Sequence, residues 1–169
     1  PDVRHFRLAL HVTFDFITFA YTLWGALDSI YPNKTQVIVP LRNLARISFV
    51  LLILQSIYGG FVAGLNAGLI HNHWPLMSDG QLIHDSVFIE KSTLFLNLIE
   101  GKSGVQFVHR IMAYVVVGLI LALYFNSKKY SLTSLQKKGI NVLVLIVFLQ
   151  FTLGVFTLLF RVPLSLGLL

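Results

Sequence analysis

The chain contains no cysteine. That excludes disulfides, iron–sulfur clusters and thiolate chemistry, and leaves histidine and carboxylates to hold any metal. Charge is scarce as well. Charged residues make up 12% of the chain, against roughly 25% in a soluble domain. Too few ionised groups are present to cover a folded surface, so lipid is the expected solvent. The sequence holds no P-loop, no nucleophile triad and no paired carboxylates within an apolar run. The formal charge of +6 does not mark a nucleic-acid partner, because the basic residues sit in short loops between apolar runs.

What is present is apolar: 56% of residues are hydrophobic and the mean hydropathy is +0.77. Four runs are long enough to span a bilayer, at about 8–27, 44–70, 105–125 and 140–160. A spanning segment must satisfy its own backbone, so each is predicted to be a helix, giving an all-α integral membrane fold in one domain. The chain starts at Pro1 rather than Met, and a fifth apolar run opens at Val162. Both ends read as cuts, and a cut N-terminus would hide a signal peptide.

The loops set an orientation. Residues 126–139 carry Lys128, Lys129, Lys137 and Lys138 without an acid, and the first connection carries Lys34 and Arg42 with Arg46 at its edge. The positive-inside bias puts both on the cytoplasmic side. The long connection 71–104 is then outside, with Lys91 and Lys102 balanced by Asp79, Asp85, Glu90 and Glu100. Arg4, Arg7 and Arg161 fall outside by parity, against the bias. The mixed stretch 86–99 suits short interfacial helices or a packed loop.

A few polar residues fall within the apolar runs. His109 and His11 each lie about a turn from the outer end of a helix, and ionisable groups in a span usually face a bundle interior. Neutral imidazole ligates iron, so two buried histidines at one depth fit two heme sites; an interfacial side chain is the plainer role for each. Arg110 offers a planar fork for carboxylates such as heme propionates, or a head that snorkels to lipid headgroups. Asp15 shares a helix face with His11 and suits an imidazole-orienting role or a polar cavity. Gly60, Gly64 and Gly68 form a smooth stripe that lets a helix, or a flat macrocycle, lie close. Gln55, Asn66, Gln106 and Gln150 suit interhelical hydrogen bonds. His71, His73 and His84 match no metal-ligand spacing.

The run Gly59-Gly60-Phe61-Val62-Ala63-Gly64-Leu65-Asn66-Ala67-Gly68 with Asn72-His73-Trp74-Pro75-Leu76-Met77 resembles a signature of the heme A synthase family. The segment Gln106-Phe107-Val108-His109-Arg110 to Ala113-Tyr114 resembles a second, and Phe6-Arg7-Leu8-Ala9-Leu10-His11 a weaker third. The resemblance implies the fourth to seventh helices of an eight-helix tandem-bundle fold. It implies His11 as one ligand of a first-half site for heme O, and His109 as one ligand of a second-half heme b site. From their residue chemistry, Arg110, Gly60 and Gly64 are expected to contact heme as well.

The implied activity is oxidation of a heme O methyl to a formyl, giving heme A for cytochrome oxidase. A bacterial plasma membrane or a mitochondrial inner membrane is implied, with heme O synthase, cytochrome oxidase assembly and a homo-oligomer as associations. A cytochrome b-like electron-transfer subunit is the alternative. The family's Glu-x-x-His and the partner histidines of both sites are not among these residues, so the resemblance implies that this stretch is inactive alone. Asn66 stands where many relatives show Asp, and His73 where Thr is common. Asp15 matches no family position.

Overall fold

The computed structural model describes residues 4–31, 37–78 and 80–162. Lys34, Asp79 and all of the fifth apolar run after Val162 lie outside the described residues. Four long helices dominate: α1 (Arg4–Ile30), α2 (Val39–Gly64), α5 (Lys102–Ser127) and α6 (Ser134–Leu159). Two short ones, α3 (Ser86–Ile89) and α4 (Leu94–Glu100), sit in the long connection. Among the described residues there is no strand, only an isolated bridge between Ser78 and Gln81, closed by Gly80 at φ 80°.

Among the described residues, α2, α5 and α6 are long and apolar enough to cross a membrane. At 26 residues each they measure about 39 Å, more than the roughly 30 Å hydrocarbon core. With 27 residues α1 is as long. Its apolarity does not mark it in the same way, because residues such as His5, His11, Asp15 and Asp28 interrupt it. Hydroxyls within the long helices are satisfied locally: Thr13 donates to Ala9 O, Ser48 to Leu44 O, Ser56 to Leu52 O and Thr157 to Leu153 O.

The helix boundaries depart from the apolar runs for local reasons. α2 starts earlier than the expected 44, with Pro in its first turn, where a missing N–H costs nothing. It ends at Gly64 rather than 70, because Asn66 takes the left-handed conformation at φ 53° and a single 3-10 turn, Ala67–Leu69, follows. α1 extends past 8–27 at both ends into residues too polar for a hydropathy window. A capping box starts α6: Thr133 Oγ1 accepts from Gln136 N while Gln136 Oε1 accepts from Thr133 N.

Packing runs in series, α1 on α2, α2 on α5 and α5 on α6. Ala9 faces Gly60 and His5 faces Gly64, so α1 and α2 are antiparallel, and Phe16 stacks on Phe49 further along the same seam. The core is small: Ala9, Phe61 and Val105 are buried, with Phe6, Ile57, Tyr58, Val62 and Leu65 against them. It sits where α1, α2 and α5 meet near the long connection. Among the described residues α6 buries no side chain.

The connection is ordered by buried polar groups. Asn97 is fully buried; its Oδ1 accepts from Lys91 N, and its Nδ2 donates to Phe88 O (2.8 Å) and Lys91 O (3.4 Å). That one amide joins α3 to α4. Gly104 then brings α5 close, because a Cβ there would run into the Asn97 carbonyl.

Candidate functional site

α5 carries His109 about two turns from its start, and α2 runs antiparallel beside it. Gln55 Nε2 lies 3.3 Å from His109 Nε2. His109 Nδ1 is shielded and has no hydrogen-bond partner, as is Gln55 Oε1. Gly59, one turn from Gln55, borders the same ring: a Cβ on it would lie 3.5 Å from His109 Cε1. An imidazole engaged at one nitrogen and unmet at the other is a candidate for metal ligation or for a further hydrogen bond. One turn back on α5, Gln106 is buried; its Nε2 donates to His71 O at 3.2 Å and its Oε1 has no partner.

Arg110 closes the outer side. Its Nη2 donates to His71 O (2.6 Å), and its Nη1 to His73 O (2.9 Å) and Leu76 O (3.2 Å). The sequence offered propionates or headgroups as partners for this fork. In this structure the guanidinium clasps the backbone of 71–76. Its Nε is buried without a partner. Asn72 fastens the same segment on its other side, donating from Nδ2 to Gly68 O (2.7 Å) and Leu158 O (2.9 Å).

A second polar group lies outside this one. His71 Nε2 is 3.0 Å from Ser103 Oγ, the Ser86 hydroxyl donates to Ser103 Oγ at 2.7 Å, and His84 Nδ1 is 2.7 Å from Ser86 Oγ. The His71 and His84 rings are 4.8 Å apart. Burial holds the His71 imidazole below its usual range; His84 and Arg110 push it the same way, Glu90 pulls it up, and His73 adds a smaller downward push. Glu90 accepts from Lys102 N and Ser103 N, both at 3.0 Å, placing a carboxylate on the N-terminus of α5. Among the described residues no group of three or more metal-ligating side chains occurs.

His11 takes a different position. With Ala9 against Gly60, His11 lies about 3 Å further along α1, close to the depth at which His109 meets Gln55 and Gly59. The two histidines are therefore at similar depth but on different faces of α2. His11 and Asp15 are exposed on α1, and α1 contributes only His5 and Ala9 to the buried interior. The stripe at Gly60 and Gly64 lies against α1. A Cβ at Gly60 would lie 2.5 Å from Ala9 Cα, and one at Gly64 would run into His5 Cα. The backbone of α1 fills the surface a macrocycle would need, and the stripe serves helix packing.

Two features escaped the sequence. Gln55 stood out only as one of several polar residues in a span; its one-turn spacing from Gly59 was the available signal that both face His109. His5 is buried with a partnerless Nε2, in rings from Phe6 and Phe61, and sequence position near a helix end gave no hint of it.

Residues 1–169 match the COX15-CtaA family, described as cytochrome oxidase assembly protein. The chain is 70% identical over 169 residues to the heme A synthase of Flavobacterium johnsoniae, covering 99% of this chain and 50% of that protein. It is 69% identical over 167 residues to the heme A synthase of Flavobacterium psychrophilum, covering 99% of this chain and 49% of that protein. The bovine heme A synthase COX15 is 32% identical over 167 residues, covering 96% of this chain and 40% of that protein. The chain thus spans about half the length of the curated relatives it matches. No solved structure matches it.

Proposed function

The chain belongs to the cytochrome oxidase assembly family COX15-CtaA, and on that premise we propose that it is the portion of a heme A synthase that supplies one histidine to each of two heme sites. The whole protein would oxidise a methyl group of heme O to a formyl, giving heme A. The names of its relatives favour this over an electron-transfer subunit without substrate chemistry. α1 would be a fourth span beside α2, α5 and α6, within an eight-helix fold twice this length. The bacterial relatives and apolar helices favour the plasma membrane.

One observation carries the proposal: His109 presents a shielded nitrogen without a partner while its other nitrogen is engaged by Gln55. Were a heme held here, His109 would supply an imidazole ligand to its iron. A heme b held here would supply one-electron transfer. The protein's part is to hold the imidazole neutral, to keep water from its free nitrogen, and to fix the segment 71–76 over it through Arg110 and Gln106. His11 would serve the heme O site. Its exposed face, with Asp15 on the same side, would be covered by the remainder of the protein.

Absorption spectroscopy of the full-length protein tests this. His109→Ala should abolish the low-spin heme b spectrum with the protein still inserted, whereas His11→Ala should block heme A formation and spare that spectrum. A wild-type heme b spectrum from His109→Ala removes His109 as a ligand.

A further inference from the structure

The turn between α5 and α6 gathers positive charge with nothing of opposite sign beside it. Residues 101–169 contain no Asp or Glu, nor do residues 29–78, so α2, α5, α6 and this turn carry no carboxylate. Lys128, Lys129, Lys137 and Lys138 repel one another there. Two of them converge: Lys128 and Lys137 line a cleft of about 230 Å³ with Tyr124, Leu132, Ile140 and Asn141. The Lys128 ammonium lies over the Tyr124 ring, 4.4 Å from its centre, whereas Lys129 turns aside to Asn126 Oδ1 at 3.1 Å. Asn141 is exposed at the same cleft. Orientation in a bilayer needs lysines anywhere in the turn; it does not need two ammoniums and an amide on one cleft.

Deeper along α6 the same face turns apolar. Lys137, Asn141, Leu145 and Phe148 follow one another at one-turn spacings, and Leu145 and Phe148 are exposed. Asn141 and Phe148 are about 10 Å apart along the axis. We propose that the α5–α6 turn binds an anionic phospholipid, with Lys128, Lys137 and Asn141 donating to its phosphate and an acyl chain lying along Leu145 and Phe148. Charge selects the headgroup, because basic pockets at the cytoplasmic ends of spanning helices draw anionic lipids. A zwitterionic headgroup brings its own cation against the lysines and is disfavoured. The apolar face selects a lipid over a free anion, because inorganic phosphate has nothing to lay on it.

The experiment uses the full-length protein in detergent, with phosphatidylglycerol, phosphatidylcholine of the same chains, or inorganic phosphate added. Native mass spectrometry counts retained lipid, and thermal unfolding reads stabilisation. A double variant of the cleft, Lys128→Gln with Lys137→Gln, is compared with Lys129→Gln with Lys138→Gln, which removes the same charge outside it. All four lysines are exposed, so both variants should melt with wild type before lipid is added. A lysine near a membrane surface is worth about fivefold in affinity for anionic lipid, so the cleft variant should bind phosphatidylglycerol about 25-fold more weakly, and the control much less so. Equal retention of the two lipids by wild type overturns the proposal. Equal losses from the two double variants also overturn it, because the general field of the turn then explains the preference. Stabilisation by inorganic phosphate matching that by phosphatidylglycerol overturns it too, since the ligand is then a free anion. A wild type that retains no phosphatidylglycerol overturns it as well.

Discussion

His71 Nε2 lies 3.0 Å from the hydroxyl of Ser103, joining the start of the long connection to the first turn of α5 across 32 residues of sequence. The imidazole is held below its usual pKa of about 6.5 by burial, with His84, Arg110 and His73 adding to the effect against Glu90. The unfolded chain therefore binds a proton at His71 more readily than the folded one does. The contribution of this site to stability is complete above about pH 6.5 and is lost as pH falls through the lower folded value. The protection factors for amide exchange at Ser86 and Ser103, corrected for the intrinsic slowing of exchange in acid, should fall on acidification through this window, and His71→Asn should flatten that response. An unaltered pH dependence in His71→Asn would assign the effect to another group.

Gly60 and Gly118 make a matched pair of tests. Alanine is worth about 1 kcal/mol more than glycine within a helix. At Gly118 a Cβ meets nothing within 4 Å, so Gly118→Ala should leave stability unchanged or improve it. At Gly60 the Cβ would fall 2.5 Å from the Cα of Ala9, and backbone cannot turn aside as a flexible side chain can. Gly60→Ala should cost about 1–3 kcal/mol, the range for overpacking. Thermal unfolding of both variants in detergent decides it; equal melting temperatures would mean that the α1–α2 contact is loose.

Glu90 caps α5 from the far end of α3. Its two oxygens accept from Lys102 N and Ser103 N, the first donors of a 26-residue helix. Glu90→Ala should cost about 0.5–2 kcal/mol, as loss of a helix cap does, and Glu90→Gln should cost less. Amide exchange at Lys102 and Ser103 is the direct readout. Unchanged exchange there in Glu90→Ala would show that water replaces the carboxylate without loss.

The long helices were legible because a bilayer imposes a simple requirement, a sustained apolar run with its backbone satisfied internally. Their ends were not. Asn66 stops α2 by a left-handed backbone that hydropathy does not register, and α1 continues into polar residues at both ends. At the candidate site, His109 stood out because an ionisable group in an apolar run is expensive. Its neighbour Gln55 did not, since choosing among several polar residues requires knowing which face of α2 meets α5. Arg110 was visible as a charge, but its partners are backbone carbonyls 34 to 39 residues away, and carbonyls leave no mark in a sequence. The glycine stripe announced a close approach; only the packing of Ala9 and His5 says what approaches.

Helix α6 is fastened to the rest of the chain at mid-shaft, where the Phe151 ring meets those of Trp74 and Tyr114, and near its finish, where the Asn72 amide holds Leu158 O; the Thr133–Gln136 box closes only its own first turn. Exchanges among Leu, Ile and Val away from Phe151 alter oiliness little, so drift along α6 is better tolerated there than at these two anchor points.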